Sequence, residues 1–211
     1  MQRRGGVVLR SDRASERSIR DSLRPLARDA AGTAAVLVDE FWVPPTGERA
    51  DLVSISSQLW AYEIKSTRDT LRRLPRQIGA FSRLFDRCTA VLATKHVAAG
   101  EAMIPHWWGV IEAADHGDHP LEWRRRPLAN PAVDVELLVR LLWRDEALAA
   151  LTDLGVSAHN RLGRQALWRL LIREAGPSQL QAKVCHALLH RTPDAARIPT
   201  RRFTEARAAA R

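Results

Sequence analysis

Cysteine and long apolar runs are scarce in this sequence, and each shortage excludes a class of protein. The 211 residues include two cysteines, Cys88 and Cys185, which excludes a disulfide-stapled architecture and predicts two reduced, buried thiols. No apolar run approaches the roughly 18 residues that span a bilayer. Residues 1–13 lack the apolar segment of a signal peptide. We therefore expect a cytoplasmic protein that does not bind a membrane.

Lysine is also scarce, although the chain is strongly basic. The sequence has 33 basic and 24 acidic residues, which gives a net charge of +9 at pH 7. Lysine occurs only at Lys65, Lys95 and Lys183, so nearly all of this charge is arginine. A field of this sign favours a polyanionic partner, most simply nucleic acid. A GC-rich genome would also produce an arginine bias, so composition leaves DNA and RNA open.

The order of apolar and polar segments predicts an α/β fold. We expect a mixed sheet of about five strands, helices on its faces and an α-helical C-terminal extension. The predicted strands lie at 33–43, 51–55, 60–65, 88–94 and 107–112, with an edge strand at 121–125, and the predicted helices of this core lie at 11–31 and 66–87. Pro25 is expected to kink or end the regular part of the first helix. The expected units are a core over 1–128, a helical extension over 129–192 and a basic tail over 193–211.

The helical extension contains several helix-start signals. Asn130 followed by Pro131 predicts the N-cap of one helix, ending near Gly155. Ser178 and Gln181 match the capping box of another, running to about residue 191. Short helices of this kind form either a helix-turn-helix-like unit or a cap packed on the sheet. We expect the extension to be packed on the sheet.

Three charged residues stand out on two neighbouring predicted strands. Asp51 begins one strand, and Glu63 and Lys65 lie two residues apart on the next. Side chains alternate between the faces of a strand, so Glu63 and Lys65 share one face. The apolar residues of the opposite face are Trp60, Tyr62 and Ile64. Charges on a buried strand require a partner, and carboxylates on adjacent strands suit a hard divalent cation.

This arrangement resembles the PD-(D/E)XK nuclease superfamily. Asp51 matches the Asp of the motif, and Glu63-Ile64-Lys65 matches (D/E)-x-K, although Ala50 replaces the proline before the Asp. The segments RADL, YEIKS, DTLRRLPRQ and IPHWWGV resemble small bacterial proteins of the MmcB-like branch, which is associated with DNA repair. The resemblance covers residues 16–112. It implies a restriction-endonuclease-like core and metal-dependent hydrolysis of phosphodiester bonds in DNA, in repair or in defence against foreign DNA.

The resemblance also implies roles for individual residues. Asp51, Glu63 and the backbone carbonyl of Ile64 would bind Mg²⁺ or Mn²⁺, and Lys65 would position the attacking water and stabilise the developing charge. Gln77 resembles a helix glutamine that follows the motif in several nuclease families.

An upstream acid is expected to complete the site, and two residues compete for this role. Glu16 lies on the apolar stripe of the first helix with Ile19 and Leu23, so we expect it to face the sheet. Glu40 lies near the end of the first strand. A first-turn Glu that favours the helix dipole is the alternative role for Glu16. Spacing favours Glu16 but does not settle the assignment.

A group of arginines follows the motif. They are either phosphate contacts beside the active site or a solvated basic face. The members of this group are Arg68, Arg72, Arg73, Arg76 and Arg83.

Two alternative functions stay open. One is a catalytically silent nuclease-fold protein that acts as a DNA-binding or scaffold component. The other is a nuclease directed at RNA. Self-association into a homo-oligomer is also left open, as are strand specificity and endonuclease or exonuclease action.

Overall fold

A six-stranded mixed sheet forms the centre of the protein. The computed structural model describes residues 15–114, 121–158 and 161–191. The strands are β1 (Val36–Val43), β2 (Glu48–Ile55), β3 (Leu59–Lys65), β4 (Arg87–Ala93), β5 (Gly109–Ala113) and β6 (Leu121–Arg125), in the order β1-β2-β3-β4-β5-β6. The β3–β4 and β4–β5 pairs are parallel, and the other pairs are antiparallel. The α/β prediction is confirmed, and the edge strand expected at 121–125 is β6, which pairs with β5 as the sixth strand of the sheet.

One helix covers one face of the sheet. Helix α1 (Glu16–Ala31) begins at Ser15, whose hydroxyl accepts a hydrogen bond from the Ser18 N–H at 3.2 Å. It continues through Pro25 and ends at Gly32, whose φ of 96° suits a residue without a side chain. Pro25 therefore does not end the helix, which runs to Ala31, the last residue of the predicted range. Residues 11–14 of the predicted helix lie outside the described ranges.

The parallel pairs require crossovers on the opposite face. Helix α2 (Leu74–Phe81) follows a 3₁₀ turn at Leu71–Arg73, so the predicted helix over 66–87 is too long. Asp69 stabilises the loop before this turn, because its carboxylate accepts a hydrogen bond from the Ser66 N–H at 2.8 Å. Helix α3 (Val97–Met103), which was not predicted, crosses between β4 and β5. Gly100 permits this crossing, because a Cβ there would lie 2.5 Å from a Leu92 methyl.

The C-terminal helices pack on the same face as α2. They are α4 (Val135–Leu138), α5 (Arg144–Asp153), α6 (Arg164–Glu174) and α7 (Pro177–Leu189). Their apolar side chains and those of the sheet form one continuous core. Trp107 and Trp108 belong to this core and are almost fully buried, as are Cys88 and Cys185. The extension is therefore packed against the sheet, as expected, and the predicted boundary near residue 128 crosses a shared core.

The start of the extension differs from the prediction. Asn130 does not cap a helix; its amide donates to the carbonyls of Ser82 and Phe85, both at 2.8 Å. Asp134 caps α4 instead, by accepting from two backbone N–H groups. The single helix predicted up to Gly155 is divided into α4, a 3₁₀ turn and α5. The cause is tertiary, because Asn130 satisfies the orphan carbonyls that end α2 and the turn after it.

The start of α7 also differs from the prediction. Gly176 is its N-cap, and the Gln179 side chain accepts from the Gly176 N–H at 3.1 Å. Ser178 and Gln181 therefore do not form a capping box. Gln181 donates to the Asp86 carboxylate instead, which connects α7 to the start of β4.

No helix in ranges 15–114, 121–158 and 161–191 is both long and apolar enough to cross a membrane. The predicted basic tail over 193–211 lies outside these ranges.

Candidate functional site

The antiparallel register of β2 and β3 brings the two motif carboxylates together. Leu52 pairs with Tyr62, so the preceding residue, Asp51, lies opposite Glu63. Asp51 Oδ2 accepts a hydrogen bond from the Ile64 N–H at 2.6 Å. This bond fixes the Asp51 carboxylate beside the backbone of Ile64, where the resemblance places a metal ligand.

Lys65 joins the pair from the end of β3. Its Nζ lies 2.5 Å from Glu63 Oε1, and the two side chains are 9% and 1% exposed. The predicted alternation of β3 is confirmed: Trp60, Tyr62 and Ile64 pack with α1, while Ala61 belongs to the core on the other face. The motif residues therefore converge as the sequence predicts.

One oxygen of Glu63 has no protein partner. Glu63 Oε2 is buried and accepts no hydrogen bond of normal geometry from the described residues, although the Gln77 side chain lies near enough to lower the pKa of Glu63. Gln77 Oε1 on α2 is likewise buried without a partner among these residues. Gln77 is 2% exposed, so its amide is enclosed with the carboxylate rather than solvated. Buried acceptors without donors are rare in folded proteins and require a bound proton, water or cation. The donor set fits a hard cation, since carboxylate oxygens are the ligands that Mg²⁺ and Mn²⁺ prefer.

Burial raises the pKa values of both motif carboxyls. Desolvation raises the pKa of Asp51 to about 6, against the lowering effects of the Ile64 N–H and Lys65. Desolvation and the nearby Asp51 charge raise the pKa of Glu63 to about 8, while Lys65 and Gln77 act in the opposite direction. Two acids that resist ionisation side by side would be stabilised in their charged form by a divalent cation.

Both candidates for the upstream acid, Glu16 and Glu40, have their carboxylates close to Asp51. Glu40 has a φ of 51° and lies opposite Asp51, between the paired residues of β1 and β2. Carboxylate oxygens of Glu16, Glu40 and Asp51 all lie within 4.8 Å of one another. Glu16 does not face the sheet as predicted, because its side chain is 47% exposed beside the Asp51 end of β2.

Arg20 is a residue of the site that sequence reasoning missed. Its Nη2 lies 2.5 Å from Glu16 Oε1, 2.8 Å from Glu40 Oε1 and 3.9 Å from Asp51 Oδ1. The available signal was its position four residues after Glu16, which places the two side chains together on a helix. A second pair, between Glu40 and Arg49 at 3.5 Å, extends this network outward.

An open cleft of about 640 Å³ adjoins the network. Its walls come from the first turns of α1 and from the loop after β3. The residues that line it include Arg17, Arg20, Arg24, Asp39, Arg68 and Asp69. The cleft is wide and polar, which suits a charged polymer better than an apolar small molecule.

The predicted arginine group is divided by the tertiary structure. Arg73 and Arg76 both pair with the buried Glu48, at 3.3 and 2.9 Å. Arg83 pairs with Asp134 at 2.6 Å, on the side of the extension. Arg68 and Arg72 are exposed, and neither side chain forms an ion pair with a residue in the described ranges. These two remain available for phosphate contacts.

Comparison with known proteins identifies the family. The sequence profile described as bacteriophage P4 protein cII matches residues 11–201. The chain belongs to the bacteriophage P4 protein cII family. Protein cII of Enterobacteria phage P4 is 35% identical over 78 residues, which cover 37% of this chain and 30% of the phage protein. The chain thus matches about a third of the length of that relative.

Among solved structures, a protein of unknown function from Silicibacter pomeroyi aligns with this chain. The two are 18% identical, the alignment covers 65% of this chain and 93% of the other, and the TM-score is 0.38. The family match includes every residue of the candidate site, from Glu16 to Arg83.

Proposed function

We propose that the protein is a metal-dependent nuclease that hydrolyses phosphodiester bonds in DNA. The observation that carries this proposal is the buried Asp51–Glu63–Lys65 constellation, in which Glu63 Oε2 lacks a hydrogen-bond partner among the described residues. The same residues match the PD-(D/E)-x-K motif in order and spacing. This activity is consistent with a cytoplasmic protein that functions in DNA repair or in defence against foreign DNA.

Asp51 and Glu63 would hold Mg²⁺ or Mn²⁺, with the Ile64 backbone beside them. The ion would supply Lewis-acid polarisation of the phosphate and a lowered pKa for a bound water. Lys65 contributes a positive charge fixed by Glu63, which orients the attacking water and stabilises charge that develops on the phosphate. Glu16 or Glu40 receives the proton that the water loses, since both carboxylates lie beside Asp51.

The cleft would hold the nucleic acid backbone. Arg68 lies on its wall and Arg72 is exposed on the 3₁₀ turn that follows, so both are placed to contact phosphates near the motif. Contacts of this kind bind without reading base sequence. The net charge of +9 supports the same partner class.

A second candidate function has an observation in its favour. Arg20 pairs with the outer acids and Lys65 pairs with Glu63, so protein groups alone compensate part of the negative charge of the site. A nuclease-fold protein that binds DNA as a scaffold, without turnover, needs no more than this. An RNA-directed nuclease shares all the proposed groups and differs only in the substrate that it cleaves.

One experiment separates these functions. The protein is incubated with linear, nicked, branched and single-stranded DNA and with RNA, each with Mg²⁺, Mn²⁺ or EDTA. We expect cleavage of at least one DNA with Mg²⁺ or Mn²⁺ and none with EDTA. DNA binding with no cleavage under any metal condition would support the scaffold function. Cleavage of RNA alone would support an RNA-directed nuclease.

A further inference from the structure

Arg20 occupies the centre of the acidic cluster formed by Glu16, Glu40 and Asp51. One nitrogen, Nη2, contacts Glu16 and Glu40 at 2.5 and 2.8 Å and lies 3.9 Å from Asp51. A divalent cation of the proposed kind is coordinated by carboxylate oxygens at about 2.0–2.6 Å. The guanidinium and a cation held by Asp51 would both draw on the Asp51 carboxylate, and they would also compete for Glu16 or Glu40 where that acid completes the metal site.

Arg20 resembles an internal counter-ion more than a surface charge. Its side chain is 18% exposed, and its Nε is buried without a partner among the described residues. Although partial burial lowers the pKa of Arg20, contacts with Glu40, Asp51 and Glu16 raise it above its ordinary value. The side chain thus carries a fixed charge, but one of its donors is unsatisfied in this position.

Glu63 gives an independent indication that a cation binds beside this cluster. Its Oε2 is buried without a hydrogen-bond partner in the described part of the chain, and its side chain is 1% exposed. The ion pairs of Arg20 are with Glu16, Glu40 and Asp51, so Arg20 does not satisfy this oxygen. A metal held by Asp51 and Glu63 would satisfy this oxygen and would compete with Arg20 for the charge of Asp51.

We propose that Arg20 is a built-in competitor of the metal: its guanidinium pairs with the acidic cluster in the metal-free protein and moves into the cleft to bind a phosphate when the metal binds. This inference rests on the proposed function. Arg20 already lines the cleft, whose walls carry both basic and acidic side chains, and Arg17 and Arg68 are among the basic ones that a released guanidinium would join. The planar fork of arginine suits two hydrogen bonds to one phosphate. Metal and nucleic acid binding are therefore coupled, each favouring the released position of Arg20.

The first test measures metal affinity without nucleic acid. Mn²⁺ is titrated calorimetrically into the wild type and into Arg20→Met. We expect about tenfold tighter binding to Arg20→Met, because two close, partly exposed ion pairs and one longer contact no longer compete. Arg24→Met is the matched control: Arg24 lies one turn further along α1, pairs with Asp39 and lines the same cleft. This control should bind Mn²⁺ as the wild type does.

A second measurement needs no substitution and so does not depend on the folding of a variant. The arginine Nε–Hε signals of the wild type are followed by NMR during a Mg²⁺ titration. We expect the Arg20 signal to shift and to saturate together with metal binding, while the Arg24 signal stays in place. A hydrolysis-resistant phosphorothioate duplex should then shift the Arg20 signal again, and only when the metal is present.

The outcomes separate this inference from the proposed function. Equal Mn²⁺ affinity of Arg20→Met and the wild type, or an Arg20 signal that does not move at saturating Mg²⁺, would overturn the competition and leave the metal site intact. If neither the wild type nor either variant binds Mn²⁺, both the metal site and the competition are overturned.

Discussion

The ammonium of Lys65 lies 2.5 Å from the buried carboxylate of Glu63, two residues earlier on the same face of β3. Both groups are nearly enclosed, so when Glu63 is ionised each charge depends on the other for compensation. The other oxygen of Glu63 accepts no hydrogen bond of normal geometry from residues 15–114, 121–158 and 161–191. This combination of a satisfied and an unsatisfied oxygen on one buried carboxylate is the basis of the predictions that follow.

Lys65→Ala should abolish cleavage while nucleic acid binding survives. Removal of one positioned charge at a reacting phosphate lowers rates by about 10²–10³-fold in other enzymes. Cleavage is measured under single-turnover conditions, and binding by fluorescence anisotropy. Lys95→Ala is the matched control, since Lys95 is exposed in the turn after β4. Cleavage by Lys65→Ala at the wild-type rate would contradict the mechanism.

Asp51→Asn should abolish cleavage and weaken Mn²⁺ binding. The amide oxygen of Asn can still accept the Ile64 N–H bond, so the fold is retained while one ligand charge is lost. Calorimetry with Mn²⁺ measures the affinity. Asp39→Asn serves as the control, because Asp39 pairs with Arg24 outside the acidic cluster. An unchanged affinity in Asp51→Asn would remove this residue from direct contact with the metal.

Stability of the metal-free protein should decrease as pH rises through the range in which Glu63 ionises. Burial and the Asp51 charge raise the pKa of Glu63 from its ordinary value of 4.5 to about 8, so the folded state holds a proton that the unfolded state has released. The unfolding free energy contributed by this group is fully present below about pH 4.5 and is lost between pH 4.5 and 8.

Urea unfolding in EDTA at several pH values tests this linkage. Glu63→Gln does not titrate at this position, so its stability relative to the wild type should increase across that range. The slope for one proton is at most about 1.4 kcal/mol per pH unit. A difference between the two proteins that stays constant with pH would contradict the predicted ionisation.

Glu16→Gln should lower the cleavage rate more than Glu40→Gln. Both carboxylates reach Asp51, but Glu40 is also held by Arg49, whereas Glu16 pairs only with Arg20 among the described residues. When Arg20 moves, Glu16 is the acid left free for the metal or for the water's proton. We expect more than about a tenfold loss for Glu16→Gln, consistent with a ligand or its hydrogen-bonded partner. Near-complete loss in Glu40→Gln and a modest loss in Glu16→Gln would reverse the assignment.

DNA affinity should fall steeply with salt, and Arg68 and Arg72 should account for part of the slope. Each phosphate contact releases counterions, so Arg68→Ala and Arg72→Ala should each reduce the log–log slope by roughly one unit. Arg83→Ala is the control, since Arg83 already pairs with Asp134. A flat salt dependence in the wild type would indicate that the arginines form a solvated face.

Replacement of Arg73 and Arg76 is a poor test of nucleic acid contact. Both side chains compensate Glu48, which is buried at the start of β2. Their loss would leave a buried carboxylate without a partner and would lower stability for a reason unrelated to binding.

The sequence by itself determined the strands of the core and the pairing of Glu63 with Lys65 on one face of β3. These features follow from a two-residue period, which is a local property of the chain and needs no knowledge of distant segments. The N-cap of α1 at Ser15 is local in the same sense, because its bond spans three residues. Local sequence patterns were therefore sufficient to predict the motif, the face of β3 that it occupies and a packed helical extension.

The tertiary structure decided which charges meet. Arg20 reaches Glu40 across 20 positions, Arg73 reaches Glu48 across 25, and Gln181 reaches Asp86 across 95. Contacts of this kind depend on how α1, α2 and α7 dock on the sheet, which spacing does not specify. The left-handed backbone of Glu40 is a further example, since its side chain is aimed at Asp51 by a conformation that a strand pattern does not predict. Local periodicity thus fixed where the acids lie on the chain, and docking of the helices decided which arginines neutralise them.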